Sequence, residues 1–527
     1  MKAEVVCNGV VTTTIPNDPI AAGCFAKPVD VAPFFTSASY SCASLKPGLF
    51  YLGKYPWRDG KTITGRKCQD VRTAADFHKI ELFGPREQMV AIIHNDVTLS
   101  SADFIWLASK GELLVLGIPQ ANGRPPKLTA SFAKFNWQTT SGNMALVNLE
   151  NPGEIAFGSA NLPHRQTLTL AGITQSEGPG RLILTRYEGG NAPNDPTLPI
   201  DDEVYFRNVL VKAGPNSHNV YLDRNGIQYI EGLISYGNKG DGNHPLKLDG
   251  RLVYLYGSFL GSAGVHGVLP DDNSGQAPLS AVACQRGVLK GNKFTNSVGR
   301  NGGLGAAQHQ IREAIVGCDD PQGWLSNTYP TVPYTGPLNY NGVSYLSSPY
   351  WDPTWWASVK QKGISPPQLY TNADMLVTYH LENTYAIVAT APAVGTNHFG
   401  IVGQPTWPAT YPSLAQSSTP KFTSVPPPAD WMERSRFVVA NGCFIGGNTG
   451  KVSTRWGGTM TCTAPDRPSW LNGYKDCGSG KTHPDNTNQF VMIGANVCGQ
   501  VDAVPAEVTS AVSALEAIPS PPWRKWP

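Results

Sequence analysis

Tyr229-Ile230-Glu231-Gly232-Leu233-Ile234 sets the pattern on which the fold turns: an apolar strand, one glycine, then a second short apolar strand. The same unit recurs at Leu168-Thr169-Leu170-Ala171-Gly172-Ile173, Tyr254-Leu255-Tyr256-Gly257-Ser258-Phe259-Leu260 and Val288-Leu289-Lys290-Gly291-Asn292-Lys293-Phe294. It returns at Val439-Ala440-Asn441-Gly442-Cys443-Phe444-Ile445, and with asparagine in place of glycine at Phe206-Arg207-Asn208-Val209-Leu210. Positions 172, 208, 232, 257 and 291 are therefore 36, 24, 25 and 34 residues apart. Two of those gaps match one turn of a stacked coil, and the other two match a turn plus an insertion.

Gly and Asn are the residues that enter the left-handed region of backbone space at least cost, so a regular Gly/Asn position between short strands reads as a corner. Stacked coils with inward apolar residues account for the short strands, the low charge and the frequent Asn-Gly together. The expected fold is all-β, a parallel β-helix with an irregular N-terminal cap region and Pro/aromatic-rich insertions. A β-sandwich or propeller with coincidental glycine spacing is the alternative.

The composition agrees with a β-rich, loop-rich chain. Among 527 residues, 15% are charged, and there are 55 Gly and 44 Pro. That excludes a helical bundle, which needs Lys, Glu, Arg and Ala in quantity. A net charge of +2 provides no field for a nucleic-acid backbone, and no apolar run reaches a membrane span. Met1-Lys2-Ala3-Glu4-Val5-Val6-Cys7-Asn8-Gly9 has no apolar leader core. The ten cysteines fall as Cys7, Cys24, Cys42 and Cys68, then Cys284 and Cys318, then Cys443, Cys462, Cys477 and Cys498. Grouping at both ends predicts local disulfides and an oxidising working place, with buried free thiols as the alternative. No Asn-x-Ser/Thr acceptor is present, which favours a bacterial or viral source over a eukaryotic secretory one.

Three regions follow. Residues 1–87 form a Cys-containing cap or attachment region, with a short helix predicted near 72–80. Residues 88–500 carry the coils, beginning with Met89-Val90-Ala91-Ile92-Ile93, Phe104-Ile105-Trp106-Leu107 and Glu112-Leu113-Leu114-Val115-Leu116. They are interrupted by insertions at 322–370 and 403–431. Residues 501–527 hold a weak helical pattern and a Pro/Trp tail that either caps the coils or joins a neighbouring subunit.

His218-Asn219-Val220-Tyr221-Leu222, Glu231-Gly232-Leu233-Ile234-Ser235, Gly242-Asn243-His244-Pro245-Leu246-Lys247 and Val253-Tyr254-Leu255 together resemble right-handed parallel β-helix proteins of the pectate-lyase-like superfamily. That superfamily includes polysaccharide lyases, glycoside hydrolases and phage tailspikes. The resemblance covers roughly residues 160–300 and 370–450. It implies an extended polymer bound along one lateral face, and a homotrimer.

The candidate site residues fall in three groups. Lyase chemistry needs a base beside a group that neutralises a uronate carboxylate, commonly Ca²⁺ or a cationic side chain. His244, Lys247 and Arg251 are candidates for these roles, with Asp241 and Asp249 as possible Ca²⁺ ligands. Leu246 and Leu248 flank Lys247 in alternation, so it also reads as the outward residue of a strand. Hydrolase chemistry needs two carboxylates, for which Asp271 and Asp272, or Asp319 and Asp320, are candidates, with His266 or His309 nearby. Val265-His266-Gly267 precedes Asp271-Asp272, the reverse of the order in polygalacturonase-like enzymes, and adjacent acids in a Gly/Asn context also read as a solvated turn. The aromatic cluster Tyr350, Trp351, Trp355 and Trp356 offers sugar-stacking faces or an apolar interface. No nucleophile elbow, P-loop or zincin motif is present.

These observations predict a virion spike or tailspike-like adhesin that recognises a bacterial cell-surface polysaccharide, with or without cleaving it, at a virion surface or outside the cell. The alternatives are a secreted polysaccharide lyase or glycoside hydrolase acting on an acidic polysaccharide, and a structural surface protein with no ligand.

Overall fold

Alternation and run length decide which strands form. Leu246-Lys247-Leu248 alternates, as a half-covered strand does, whereas Met89–Ile93, Leu113–Leu116 and Met144–Val147 are unbroken apolar runs, as strands covered on both faces are. In a computed structural model of the chain, these segments are rungs of one large sheet of 25 strands, parallel but for the pair Lys451–Ser453 and Thr459–Thr461. The structure describes residues 2–53, 63–100, 103–107, 110–129, 135–137, 142–157, 166–176, 182–185, 203–212, 219–237, 245–261, 265, 279–281 and 286–296, nine strands between 314 and 493, and 506–527. The described chain is mostly β with little helix.

Pairing follows three ladders. The first runs Gly65–Val71, Glu87–Ile93, Glu112–Gly117, Met144–Glu150, Thr167–Gln175 and Glu203–Lys212, then through Val220–Tyr236, Leu246–Tyr256 and Arg286–Lys290 to Thr378–Glu382, Arg436–Ala440 and Phe490–Ile493, all parallel. Its first rung lies inside the Cys-containing segment 1–87. The second joins Ile105–Trp106, Phe135–Trp137, Ile155–Phe157 and Ile183–Thr185 to the starts of Val220–Tyr236 and Leu246–Tyr256, and continues through Leu279–Ala281, Ala314–Gly317 and Ile401–Gln404. The third begins past the corners and reaches Phe259–Gly261, Lys293–Asn296, Tyr385–Val388 and Cys443–Ile445. Among the described strands, Val220–Tyr236 alone contributes to all three. Inward residues from the three ladders, among them Leu222, Ile230, Leu233, Leu248, Leu255 and Leu260, meet in one apolar cluster.

The corners lie where the sequence spacing puts them. Gly172, Asn208, Gly232, Gly257 and Gly291 all have positive φ, between 49° and 73°. Asn148, at φ 55°, belongs to the same column, because its neighbours Val147 and Leu149 pair with Ala171 and Ile173 on either side of Gly172. A Cβ at Gly232 would lie 2.8 Å from Oδ1 of Asn208 and 3.3 Å from Cα of Ala3, so glycine serves both the backbone turn and the close approach there.

The N-terminal residues run along that column. Ala3 N–H donates to the Gly257 oxygen at 2.7 Å, Ala26 N–H to Thr174 Oγ1 at 2.8 Å, and Val29 exchanges two hydrogen bonds with the Asn148 amide at 2.7 and 2.8 Å. Residues 31–52 then cross the outer face of the first ladder, where Phe34, Phe35, Phe50 and Leu52 cover Val90, Ile92, Leu114, Leu116, Ala145 and Val147. Cys7–Cys24 and Cys42–Cys68 are disulfides, spanning 17 and 26 residues. Each removes roughly 3 kcal/mol of chain entropy from the unfolded state, and the second ties the N-terminal strap to the first rung. Cys443 lies in its strand, and the other five cysteines lie outside the described residues.

Helix α1, Ala74–His78, occupies the predicted position, with the Thr73 side chain accepting from Asp76 N–H as its N-cap. Helix α2, Ala506–Glu516, lies against the flank of the first ladder rather than over an end. Val512 and Leu515 pack with Tyr205, Ile227, Tyr229, Leu252, Tyr254 and Val288, and Trp523 joins them. Among the described residues no helix is long and apolar enough to cross a membrane.

Candidate functional site

The outer face of the first ladder is covered by residues 31–52 over its lower rungs and by the C-terminal tail over its tyrosines. Tyr205, Tyr229 and Tyr254 are register partners on successive rungs, with neighbouring ring centroids 5.9 Å apart, but the C-terminal tail lies over them. Tyr254 Oη donates to the Leu515 oxygen at 2.6 Å, and Tyr256 Oη to Glu516 at 3.1 Å. Burial and the nearby Glu231 carboxylate push the Tyr229 phenol up to about 12, so it stays a neutral donor.

The second ladder places Trp106, Tyr221 and Lys247 in one column of register partners. Trp106 pairs with Asn136, Asn136 with Ala156, Ala156 with Leu184, Leu184 with Tyr221, Tyr221 with Lys247, and Lys247 with Ser280. At about 4.8 Å per rung, Trp106 and Lys247 stand roughly 24 Å apart along the stack. Ile105, Ile155, Leu222 and Leu248, the chain neighbours of column residues, point into the core.

At one end of the column Trp106 is 46% exposed. Its ring lies 5.9 Å from that of Phe104, and its backbone N–H donates to Glu81 Oε1 at 2.6 Å. Leu82, 65% exposed, follows Glu81 in the chain. An indole face with a second ring and a carboxylate at hand is a combination suited to sugar C–H and hydroxyl groups.

Five rungs along the column Lys247 Nζ stands 4.4 Å from the centroid of the Tyr221 ring and donates to its Oη at 3.1 Å. The two residues are 6% and 7% exposed, so the pair is buried. An amine in hydrogen-bond contact with a phenol is a pair through which a proton can pass.

The sequence-predicted residues distribute as follows. Lys247, Asp249 and Arg251 lie at alternate positions of one strand, and Asp249 is the register partner of Asp223. Lys247 is outward as alternation predicts, but covered. His244, Asp241, Asp271, Asp272, Asp319, Asp320, Tyr350, Trp351, Trp355 and Trp356 lie outside the described residues, as do His266, His309 and the insertions 322–370 and 403–431. Among the described residues no group of three or more His, Cys, Asp or Glu is placed to hold a metal ion. Tyr221 and Trp106 were not picked out by sequence reasoning. The only available signal was that Val220-Tyr221-Leu222 and Leu246-Lys247-Leu248 share one apolar–polar–apolar frame.

Comparison of the chain with protein-family models, with curated proteins and with solved structures finds no match in any of the three.

Proposed function

We propose that the three ladders close as a right-handed parallel β-helix in a tailspike-like virion or extracellular surface protein, which recognises a bacterial surface polysaccharide along the second ladder. The observation that carries this reading is the shared column: an exposed indole at Trp106 and the Lys247–Tyr221 pair lie on one straight line of register partners. A repeating polymer meets a repeating backbone there, with aromatic contact at Trp106 and the buried Lys247–Tyr221 pair farther along the same column. The two disulfides support an oxidising place of work. Assembly as a homotrimer is part of the same reading and rests on the resemblance.

The Lys247–Tyr221 contact also favours a second reading, cleavage of an acidic polysaccharide by β-elimination. Lysine as free amine takes the proton α to a uronate carboxylate, the electron pair forms the new C=C bond, the glycosidic C–O bond breaks, and the phenol protonates the leaving oxygen. Arg251 or a Ca²⁺ held by Asp241 and Asp249 would then neutralise the carboxylate.

The test is retention of the intact protein on immobilised host-surface polysaccharide, together with assays for unsaturated uronates and new reducing ends. W106A is expected to lower retention at least tenfold with an unchanged melting temperature. Unaltered retention would remove the column from the account. Unsaturated product abolished by K247M would establish the lyase reading, and absence of product would leave recognition alone.

A further inference from the structure

We propose that the strap at residues 50–53 and the C-terminal tail form a pH-sensitive latch over the first ladder, in which the buried carboxyl of Glu112 holds the latch shut in acid and releases it as pH rises toward neutrality. The geometry is a chain of contacts. Glu112 Oε1 accepts from Asn143 Nδ2 at 2.7 Å, and Oε2 from Gln88 Nε2 at 3.1 Å. Neither amide is free to turn. Asn143 Oδ1 accepts from Thr167 N–H at 2.9 Å, and the Gln88 amide exchanges hydrogen bonds with the backbone of Phe50 at 3.0 and 2.8 Å. Glu112 is thus one side chain away from the strap. Trp526 Nε1 donates to the oxygen of Tyr51 at 2.8 Å, Lys525 Nζ lies 4.4 Å from the Tyr51 ring centroid, and the Tyr51 phenol bonds to Ser520. The strap therefore connects the carboxyl to the end of the tail.

Among the described residues, none of the groups packed around this seam supplies a close cation to Glu112. The strap contributes Tyr51, whose phenol is pushed up by burial and by the Glu203 and Glu112 carboxylates. The sheet contributes Glu203, which accepts from Tyr205 Oη at 2.8 Å. Arg66 faces the Phe50 ring at 5.4 Å, Lys525 lies over Tyr51, and Arg524 reaches Tyr229. Burial raises the Glu112 carboxyl, against the two amide donors, to about 7. The docked value lies above the ordinary carboxyl value of 4.5, so Glu112 favours docking fully below about 4.5, and this contribution is lost between there and about 7. Lifting the strap returns the carboxyl to water. Release would uncover Tyr205, Tyr229 and Tyr254, an in-register aromatic row.

The experiment is hydrogen exchange of residues 506–527 in the full chain, read by mass spectrometry across about pH 5 to about pH 8 and corrected for intrinsic rates. Wild-type exchange is expected to rise more than tenfold, with its midpoint near neutrality, and E112Q to stay at the acid level throughout. A flat wild-type profile overturns the proposal. An undiminished rise in E112Q also overturns it, as does a rise abolished by E203Q but kept in E112Q. Should E112Q fail to fold, the wild-type profile and E203Q decide: a rise kept in E203Q supports the latch. Polysaccharide retention reads the second ladder, so its loss or survival is independent of this outcome.

Discussion

The indole N–H of Trp526 donates to the backbone oxygen of Tyr51 at 2.8 Å, across 475 residues of chain. Trp526 also meets Phe34 edge-on, with centroids 5.7 Å apart. The two ends of the described chain therefore close over one face of the same sheet, the N-terminal strap over the lower rungs and the tail over the tyrosine row.

Removing that indole tests the closure. W526A loses one hydrogen bond and a partly buried ring, and is expected to cost about 2 kcal/mol in urea unfolding. Exchange protection should fall first across 506–527 and residues 50–53, with the inner rungs unaffected. Uniform loss of protection would show that the tail is not a separate layer.

The corner column makes a graded prediction. At Gly172, with φ 65°, an added Cβ would collide with the Asn148 side chain and approach Pro28 Cα at 3.3 Å. At Gly291, also at φ 65°, the nearest atoms are 4.0 Å away. G291A should therefore cost only the left-handed strain, about 1–2 kcal/mol. G172A should cost clearly more, and N208G should be close to neutral. Equal urea midpoints for G172A and G291A would contradict the stacking of corners against the N-terminal strap.

Asp18 predicts the opposite pH response at the other end of the strap. Burial raises its carboxyl, but Tyr236 Oη at 2.6 Å, Ala21 N–H at 3.1 Å and Lys212 at 3.0 Å together leave it below 3.8. A folded value below the unfolded one gives stability that is present above about 3.8 and lost as pH falls through the folded value. Proteolysis of residues 1–35 should accelerate in acid for the wild type. D18N should be susceptible already at neutral pH and change little on acidification. An identical acid profile in both proteins would place the sensitivity elsewhere.

What was legible in the chain follows from how local each signal is. Corners at 172, 208, 232, 257 and 291 could be read because positive φ restricts the residue type at a single position. Asn148 escaped because it sits inside the run Met144–Glu150, with no glycine to mark it. Unbroken runs such as Leu113–Leu116 could be read as strands, but not what covers them. Tyr254 Oη reaches the Leu515 oxygen across 261 residues, a contact with no local signature. Lys247 was visible through its own alternation. Its partner Tyr221 was not, because pairing depends on the register of two strands separated by a polar loop.

The central claim is that Trp106 and Lys247 stand on one column of parallel rungs, and a distance measures it most directly. Spin labels at W106C and S280C are six rungs apart in register, so pulsed dipolar spectroscopy should return a single distribution centred near roughly 29 Å at 4.8 Å per rung. A centre below about 20 Å, or two separate populations, would mean that the strands do not stack in this order, and the column would no longer support a polymer-binding face.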